Sequence, residues 1–251
     1  MTMRSKRTAA FGRTLYRFML MVVVLAVIGC SGSKVTTKLS AELPRYQIRT
    51  IALLPFTTLD TPQVRDLVDR SFSVPLGVQR SDMAMSAPLS TEHSLSQTVI
   101  VPRGAGDIVT QLLWSRLKTR QGITVLSPGE ATIILDTSAS KHSTGQLPAV
   151  TVAKQLKADA SLVGQVLVYQ ERVGGRFGAS PAATVGFEAK VIATDGQVLW
   201  EGNYYEKQRP MNEDVMGFLQ RRGMFVTAEE LAAYGVEYML REFPFGTVEE
   251  H

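Results

Sequence analysis

The chain has little of what most catalytic and metal sites are built from. It contains one cysteine, Cys30, and three histidines in 251 residues. A single thiol excludes an intramolecular disulfide. The sequence also lacks an HExxH motif, a cysteine and histidine cluster with zinc spacing, and a GxSxG motif. His93, His142 and His251 stand far apart, so no metal, cofactor or catalytic residue is predicted, and the protein is expected not to be an enzyme.

An excess of positive charge is also missing from the part of the chain that follows Cys30. Five of the 27 basic residues precede this cysteine, which leaves 22 basic against 23 acidic residues. A domain that binds nucleic acid carries a basic patch on its folded surface. No nucleic acid is therefore expected as a partner.

Residues 1–29 have the pattern of a secretion signal. Five basic side chains lie within the first 17 positions without an acidic one, and residues 18–28 form an uninterrupted apolar run. The run has 11 residues, whereas a helix that crosses the hydrocarbon core needs about 20. The segment is therefore predicted to direct export.

The end of this segment, Val27-Ile28-Gly29-Cys30, resembles the bacterial lipobox. In lipobox proteins the cysteine thiol receives diacylglycerol, the preceding peptide is removed, and the new amino terminus is acylated. Three acyl chains make a firm anchor, because each buried methylene contributes roughly 0.8 kcal/mol. The resemblance implies a lipid on Cys30. Because Ser31 stands where an aspartate usually signals inner-membrane retention, it also implies the outer membrane, with the domain facing the periplasm. A chance cysteine behind a signal anchor is the alternative.

Residues 30–44 are predicted to be a flexible tether, because they are small and polar and show neither helical nor strand periodicity. Residues 45–251 are expected to form a single periplasmic domain. Within it, residues 81–101 are predicted to be a Ser/Thr-rich insertion in which apolar and polar side chains tend to alternate. Residues 211–245 are predicted to form C-terminal helices.

The domain alternates strand and helix signals. Strands are predicted over 46–56, 123–126, 131–135 and 161–169, and helices over 63–72, 104–122 and 149–156, with Asp107 as a cap of the second helix. Gly104-Ala-Gly106 lacks the third glycine and the lysine of the common phosphate-binding loops, so it is interpreted as a loop and helix start.

An antiparallel hairpin follows this alternating region. Residues 184–193 and 197–206 both alternate apolar and polar side chains, and Asp195-Gly196 between them predicts a two-residue turn with positive φ at both positions. Helices are then predicted over 212–222 and from the capping box Thr227-Ala-Glu-Glu230 onward. The fold class is α/β (α+β): a mixed sheet with a C-terminal antiparallel hairpin, packed by two or three helices, plus C-terminal helices.

This combination resembles bacterial envelope lipoproteins of the curli-secretion (CsgG-type) and penicillin-binding-protein activator (LpoB-type) families. The resemblance rests on IALLPF at 51–56, KADASLV at 157–163 and GQVLW at 196–200. Lys157 stands where those families have a glycine. The resemblance implies a membrane-tethered periplasmic lipoprotein that acts as a non-catalytic interaction or assembly module with an envelope protein partner. The alternatives are an oligomeric CsgG-like secretion-pore subunit, which would make the chain a homo-oligomer, and a cell-wall hydrolase.

Four residues are candidates for partner contact. Arg172, Arg176 and Phe177 lie in or beside the glycine cluster that separates two strand signals, where a loop tip is expected. By alternation Trp200 and Tyr204 belong to the core, which leaves Tyr205 on the surface as an aromatic contact residue.

Overall fold

The computed structural model describes residues 34–60, 63–66, 73–75, 96–139 and 147–247. These residues divide into two compact units, one formed by 34–208 with 224–247 and the other by 209–223. Cys30 and the three histidines lie outside the described residues, so the predicted signal, lipidation site and most of the 81–101 insertion are not covered.

The described residues contain twelve strands and five α-helices. The strands are β1 Val35–Leu39, β2 Thr50–Leu53, β3 Thr57–Thr58, β4 Gln63–Asp66, β5 Ser73–Pro75, β6 Ser96–Val99, β7 Thr124–Leu126, β8 Ala160–Gln170, β9 Gly174–Gly175, β10 Gly178–Ala179, β11 Thr184–Ala193 and β12 Val198–Lys207. The helices are α1 Gly104–Leu117, α2 Pro128–Ala139, α3 Pro148–Gln155, α4 Val215–Gln220 and α5 Ala228–Arg241.

A seven-stranded mixed sheet organises the larger unit. Its order is β1-β12-β11-β8-β2-β7, with β3 also paired to β8. The pairs β7–β2, β2–β8 and β3–β8 are parallel, whereas β8–β11, β11–β12 and β12–β1 are antiparallel. The predicted mixed α/β architecture with a C-terminal antiparallel hairpin is confirmed.

The main core lies on one face of this sheet, beneath α1 and α5. Alternate side chains of β11 and β12 enter it, including Phe187, Trp200 and Tyr204, in agreement with the sequence alternation. The helix α5 begins at the predicted capping box, in which Thr227 and Glu230 cap each other. Its Gly235 allows close approach, because a Cβ there would lie 2.3 Å from Cε1 of Tyr204.

A smaller core on the other face is covered by α2 and α3 at one end of the sheet. Ala52 of β2, Ile192 of β11 and Ala131 of α2 are buried there. The prediction of a strand over residues 131–135 is wrong, because these residues are helical. Ser127 and Glu130 bond each other reciprocally at the start of this helix, so Ser127-Pro128-Gly129-Glu130 begins a helix rather than making a turn.

The prediction that residues 30–44 form a tether is wrong for Val35–Leu39. These five residues form the edge strand β1, which pairs with β12 from Val35↔Tyr204 to Leu39↔Trp200. The sequence VTTKL carries few apolar residues, so its own pattern does not predict a strand. It forms a strand because it pairs with β12, which lies far along the chain. The folded domain therefore includes Val35–Leu39, ahead of its predicted start at residue 45.

Two smaller predictions are also corrected. A helix is predicted over 63–72, but Gln63–Asp66 form strand β4. This strand pairs with β5 and β6 in a separate three-stranded sheet. Ser96–Val99 of the insertion form β6 of that sheet. The helix α1 is preceded by Arg103 without a side-chain cap, and Asp107 lies inside its first turn.

The turn between β11 and β12 has three residues rather than the predicted two. The amide of Gly196 donates to the carbonyl oxygen of Ala193 at 2.9 Å, and the amide of Ala193 donates to that of Gln197 at 2.9 Å. Gly196 has φ +95°, whereas Asp195 has no positive φ. This is the pattern of a turn closed by a left-handed glycine. Tyr46 donates to Asp195 at 2.6 Å, which lowers the pKa of that carboxyl.

We expect Gly196→Val to destabilise the domain by about 1–3 kcal/mol, because a β-branched residue resists positive φ. The matched control is Gly175→Ala, at a glycine without positive φ where an added Cβ meets no atom within 4 Å. Thermal melts of both variants measure the difference. Equal midpoints would contradict the assigned turn.

Lys157 occupies a left-handed backbone position. Its φ is +55°, and Ala158 and Asp159 connect it to the first residue of β8. Oδ2 of Asp159 accepts hydrogen bonds from the amides of Arg49 and Thr50 at 2.9 and 2.8 Å. A lysine thus takes the left-handed position before β8, and Asp159 ties this turn to the start of β2.

Candidate functional site

A partly buried ion pair holds the chain at the start of β1. Nζ of Lys34 lies 3.0 Å from Oε1 of Glu206, whose side chain is 5% exposed, and the Tyr204 hydroxyl donates to Oε2 of Glu206 at 2.8 Å. The carbonyl oxygen of Lys34 accepts from the amide of Tyr205 at 3.0 Å. Lys34 is four residues from Cys30 and 172 residues from Glu206. Nothing in the local sequence predicts this pair.

The predicted loop tip is a small hairpin between β8 and β11. Gly175 of β9 pairs with Gly178 of β10, which places Arg176 and Phe177 at the turn. The Phe177 side chain is 89% exposed, the largest exposure among the large hydrophobic residues described, and Val173 at the base of the hairpin is 62% exposed. We name residues 171–183 the tip hairpin.

Hydrogen bonds hold the tip hairpin in place. The carbonyl oxygen of Arg176 accepts from the amide of Phe225 at 2.7 Å, and Val173 exchanges backbone hydrogen bonds with Ser180 and Pro181 at 2.9 Å each. The Phe177 ring is therefore presented to the surroundings on an ordered backbone rather than on a free loop.

The two arginines of the tip hairpin differ in their surroundings. Nη1 of Arg172 donates to the carbonyl oxygen of Gly174 at 2.6 Å, and its side chain is half-buried. Arg176 is exposed, with Nη2 3.7 Å from Oε1 of Glu230. Glu171 is exposed and accepts a hydrogen bond from the amide of Ala228 at 3.0 Å. The turn of the tip thus carries an exposed aromatic side chain, Phe177, directly after an exposed arginine, Arg176.

Tyr169 lies where β8 leads into the tip hairpin. Burial, reinforced by Glu229 and Glu171, raises the pKa of this phenol to about 12. The hydroxyl therefore stays protonated at every physiological pH, and Tyr169 supplies neither a base nor a nucleophile there.

Tyr205 lies on the part of the sheet that α2 and α3 leave uncovered. Its side chain is 50% exposed and lies across Gly186, where a Cβ would meet Cδ2 of the ring at 3.0 Å. We call this the open sheet face, and it comprises Thr36, Lys38, Glu188, Lys190, Glu201, Asn203 and Tyr205. Lys190 lies 3.7 Å from Glu201 and 3.9 Å from Glu188. It is a mixed-charge surface with one aromatic ring.

The four candidate contact residues are all toward one end of the sheet in the larger unit. The first residues of β1 and β11 and the last residues of β12 and β8 all lie at this end. The residue pairs that show it are Val35↔Tyr204, Thr184↔Lys207 and Thr184↔Gln170. Arg172, Arg176 and Phe177 belong to the connection at this end, and Tyr205 lies two residues before the end of β12. Their role in partner contact stays a prediction.

Residues 209–223 form a unit with apolar surface of its own. The side chain of Asp214 caps α4 by accepting from the amide of Gly217 at 2.8 Å, and Gly223, with φ +72°, follows the helix. The helix is thus shorter than the predicted 212–222. The sequence pattern of this segment does not predict that its large apolar side chains are exposed. Its exposed large side chains are Met211, Val215, Met216 and Leu219.

Metal-ligating side chains do not cluster in the described part of the chain. None of its His, Cys, Asp and Glu residues form a group of three or more that could hold a metal ion. A shallow groove of about 320 Å³ between α1 and α5 is lined by Leu112, Ser115, Arg116, Ala233 and Val236, without a carboxylate or imidazole. Within the same described residues, none of the helices has the length and apolar content needed to cross a membrane.

Comparisons with known proteins give low similarities. No family model matches the chain, and no curated protein matches it. Among solved structures, a PelC dodecamer from Paraburkholderia phytofirmans is similar at a TM-score of 0.42 and 11% identity, covering 82% of this chain and 93% of that one. The LpoB C-terminal domain from Salmonella enterica gives 0.32 and 10%, covering 65% and 85%. Lipoprotein GNA1162 from Neisseria meningitidis gives 0.35 and 12%, covering 69% and 94%.

Similarities of this size do not establish function. An LpoB domain is among these structures, and the curli-secretion resemblance stays a prediction. The secretion-pore and cell-wall hydrolase alternatives likewise stay predictions.

Proposed function

We propose that the chain is an exported lipoprotein, anchored by a lipid on Cys30 in the outer membrane, with a non-catalytic periplasmic domain that binds another component of the cell envelope. The open sheet face, with Tyr205 held across Gly186, is the observation that carries the binding role. Tyrosine is enriched among the energetically dominant residues of protein interfaces, and the charged side chains of both signs around Tyr205 resemble the polar rim of such an interface. We therefore assign an envelope protein as the partner of this face.

The position of β1 supports a membrane-proximal role for the domain. Because Lys34 is already held by Glu206 and by Tyr205, only the residues between Cys30 and Lys34 separate a lipid on the cysteine from the sheet. The open sheet face includes Thr36 and Lys38 of this edge strand. A partner that binds there would thus be held close to the membrane.

We expect Cys30→Ala to abolish lipid attachment and to leave a soluble or unprocessed precursor whose domain still folds, because Cys30 supplies the only thiol. Radiolabelled palmitate incorporation and sucrose-gradient fractionation measure the effect. Palmitate entering the variant would contradict the lipid assignment. Wild-type protein that fractionates with inner-membrane markers would contradict the outer-membrane placement.

The binding role is tested by affinity capture from detergent-solubilised envelopes. The wild-type protein should retain a defined protein partner, and Tyr205→Ala should lose it, since an aromatic anchor contributes most of the energy of many interfaces. Arg116→Ala, at an exposed position on α1 outside the open sheet face, is the control and should retain the partner. Capture by Tyr205→Ala equal to that by Arg116→Ala would remove the open sheet face from the proposal.

A further inference from the structure

The tip hairpin lies at the end of the sheet from which the chain leads back to Cys30. The β1 strand begins at Val35 opposite Tyr204, and the neighbouring strands place residues 171–183 as the connection at this same end. If Cys30 carries a lipid, as proposed above, this end faces the bilayer. The inference that follows rests on that proposed anchor.

The distance between this end and the bilayer is short. Four residue steps separate Cys30 from Lys34, and a fully extended chain spans at most about 3.3–3.6 Å per residue, so the start of β1 is within about 14 Å of the lipid attachment point. Lys34 cannot lengthen this tether without breaking its 3.0 Å contact with Glu206, which is buried. A small folded domain is about 30 Å across. The gap therefore admits lipid headgroups and excludes an intervening protein domain.

The side chains at the tip suit a lipid interface. Phe177 is 89% exposed and Val173 is 62% exposed, so two apolar groups project from one hairpin. Arg176 precedes Phe177 at the turn and is exposed. When its 3.7 Å contact with the exposed Glu230 is released, its guanidinium can contact lipid phosphates while the Phe177 ring enters the acyl boundary. Three acidic side chains lie near the tip: Glu171 accepts from the amide of Ala228, Glu230 accepts from the amide of Thr227 and contacts Arg176, and Glu229 is exposed beside Tyr169.

We infer that the tip hairpin is a second membrane contact, in which Phe177 inserts into the interface of the bilayer that holds the acylated Cys30, with Arg176 at the headgroup phosphates of anionic lipid. The bilayer thus binds the domain at two points. The open sheet face is left accessible beside the membrane in one fixed orientation. An acyl chain alone would let the domain rotate about its tether, whereas two contacts restrict that rotation.

The test uses the acylated full-length protein, purified from membranes and reconstituted into vesicles of phosphatidylethanolamine and phosphatidylglycerol. Because the lipid occupies the thiol of Cys30, a single introduced cysteine can carry an environment-sensitive fluorophore. Val173→Cys places it on the tip hairpin with Phe177 intact. Gln197→Cys places it on the exposed turn between β11 and β12, at the other end of the same strands and about 30 Å away.

We expect the emission of the probe at position 173 to shift to shorter wavelength and to be quenched by lipids brominated in the acyl chain, while the probe at position 197 shows neither effect. Adding Phe177→Ala to the Val173→Cys protein should lower the ratio of inserted to free hairpin about tenfold, the scale expected for withdrawing a large apolar side chain from an apolar phase.

Each other outcome overturns the inference in a distinguishable way. Acylated protein, verified by its mass, that shows no shift at position 173, or equal shifts at 173 and 197, overturns the hairpin contact and leaves the anchor intact. An unmodified Cys30 thiol overturns the anchor and the inference together. If the emission of the probe at position 173 shifts only when envelope protein is added, and shifts equally without vesicles, the tip hairpin binds a protein partner instead.

Discussion

Arg120→Ala is expected to lower the free energy of unfolding of the domain by about 3 kcal/mol, because hydrogen bonds to a buried charged group contribute about 1.5–3 kcal/mol each and cannot all be replaced by water. Arg120 is 9% exposed. Nε donates to the carbonyl oxygen of Phe245 at 3.0 Å, Nη1 to that of Leu240 at 3.1 Å, and Nη2 to that of Gly246 at 2.9 Å. The variant leaves these carbonyl oxygens without their donor.

The arrangement is unusual for a buried cation, since carbonyl oxygens rather than a carboxylate surround it. The carbonyl of Leu240 belongs to the last turn of α5, where the helix dipole is negative. The guanidinium also lies 5.5 Å from the centroid of the Phe243 ring. Burial lowers the pKa of Arg120, yet arginine stays protonated in proteins. One side chain thus joins the end of α1 to the C-terminal segment after α5.

Two variants control the Arg120 prediction. Arg120→Lys keeps the charge but has one donor group, so it should restore only part of the loss, because an ammonium cannot reproduce the planar donor geometry of a guanidinium. Arg116→Ala, at an exposed position on α1, should change stability by no more than about 0.5 kcal/mol. Chemical denaturation curves measure all three. A value for Arg120→Ala no larger than that for Arg116→Ala would contradict the assigned role.

The helices and strands that could be predicted are those in which the spacing of apolar residues within the element determines its structure. Alternation in β11 and β12 and the apolar stripe of α5 follow from which side chains each element must bury, so Phe187, Trp200 and Leu231 could be assigned to the core in advance. Local pattern does not reveal the partners of Arg120. This residue follows α1 by three positions, yet its guanidinium binds the end of α5, more than a hundred residues later in the chain.

The errors occur where partners distant in sequence decide the structure. Val35–Leu39 become a strand only because β12 offers a pairing edge, and Lys34 finds Glu206 across 172 residues. Residues 131–135 look like a strand by composition, but the upstream Ser127 and Glu130 cap a helix, a signal that is present in the sequence and also fits a turn. Of the candidate contact residues, exposure of Phe177 and Tyr205 could be predicted, and the bonds that hold them could not.

Gly106 in α1 shows how a glycine motif can serve packing. An ideal Cβ on Gly106 would lie 2.3 Å from the carbonyl oxygen of Phe56 and 3.2 Å from its carbonyl carbon. The same turn of helix is bonded to that segment, since the amide of Phe56 donates to the Thr110 hydroxyl at 2.9 Å and that hydroxyl donates to the carbonyl oxygen of Gly106 at 2.7 Å. Gly104-Ala-Gly106 therefore brings α1 against the end of β2.

We expect Gly106→Ala to destabilise the domain by about 2–3 kcal/mol, because the added methyl meets backbone atoms that cannot rotate away and the helix must move from the segment it is bonded to. Gly104→Ala is the matched control, two residues earlier in the same helix, where an added Cβ has no atom within 4 Å. That variant should be neutral or more stable by up to about 1 kcal/mol, since alanine restricts the unfolded chain. Denaturation midpoints of the two proteins decide the matter. If both variants unfold alike, the close approach of α1 to Phe56 does not set the position of this helix.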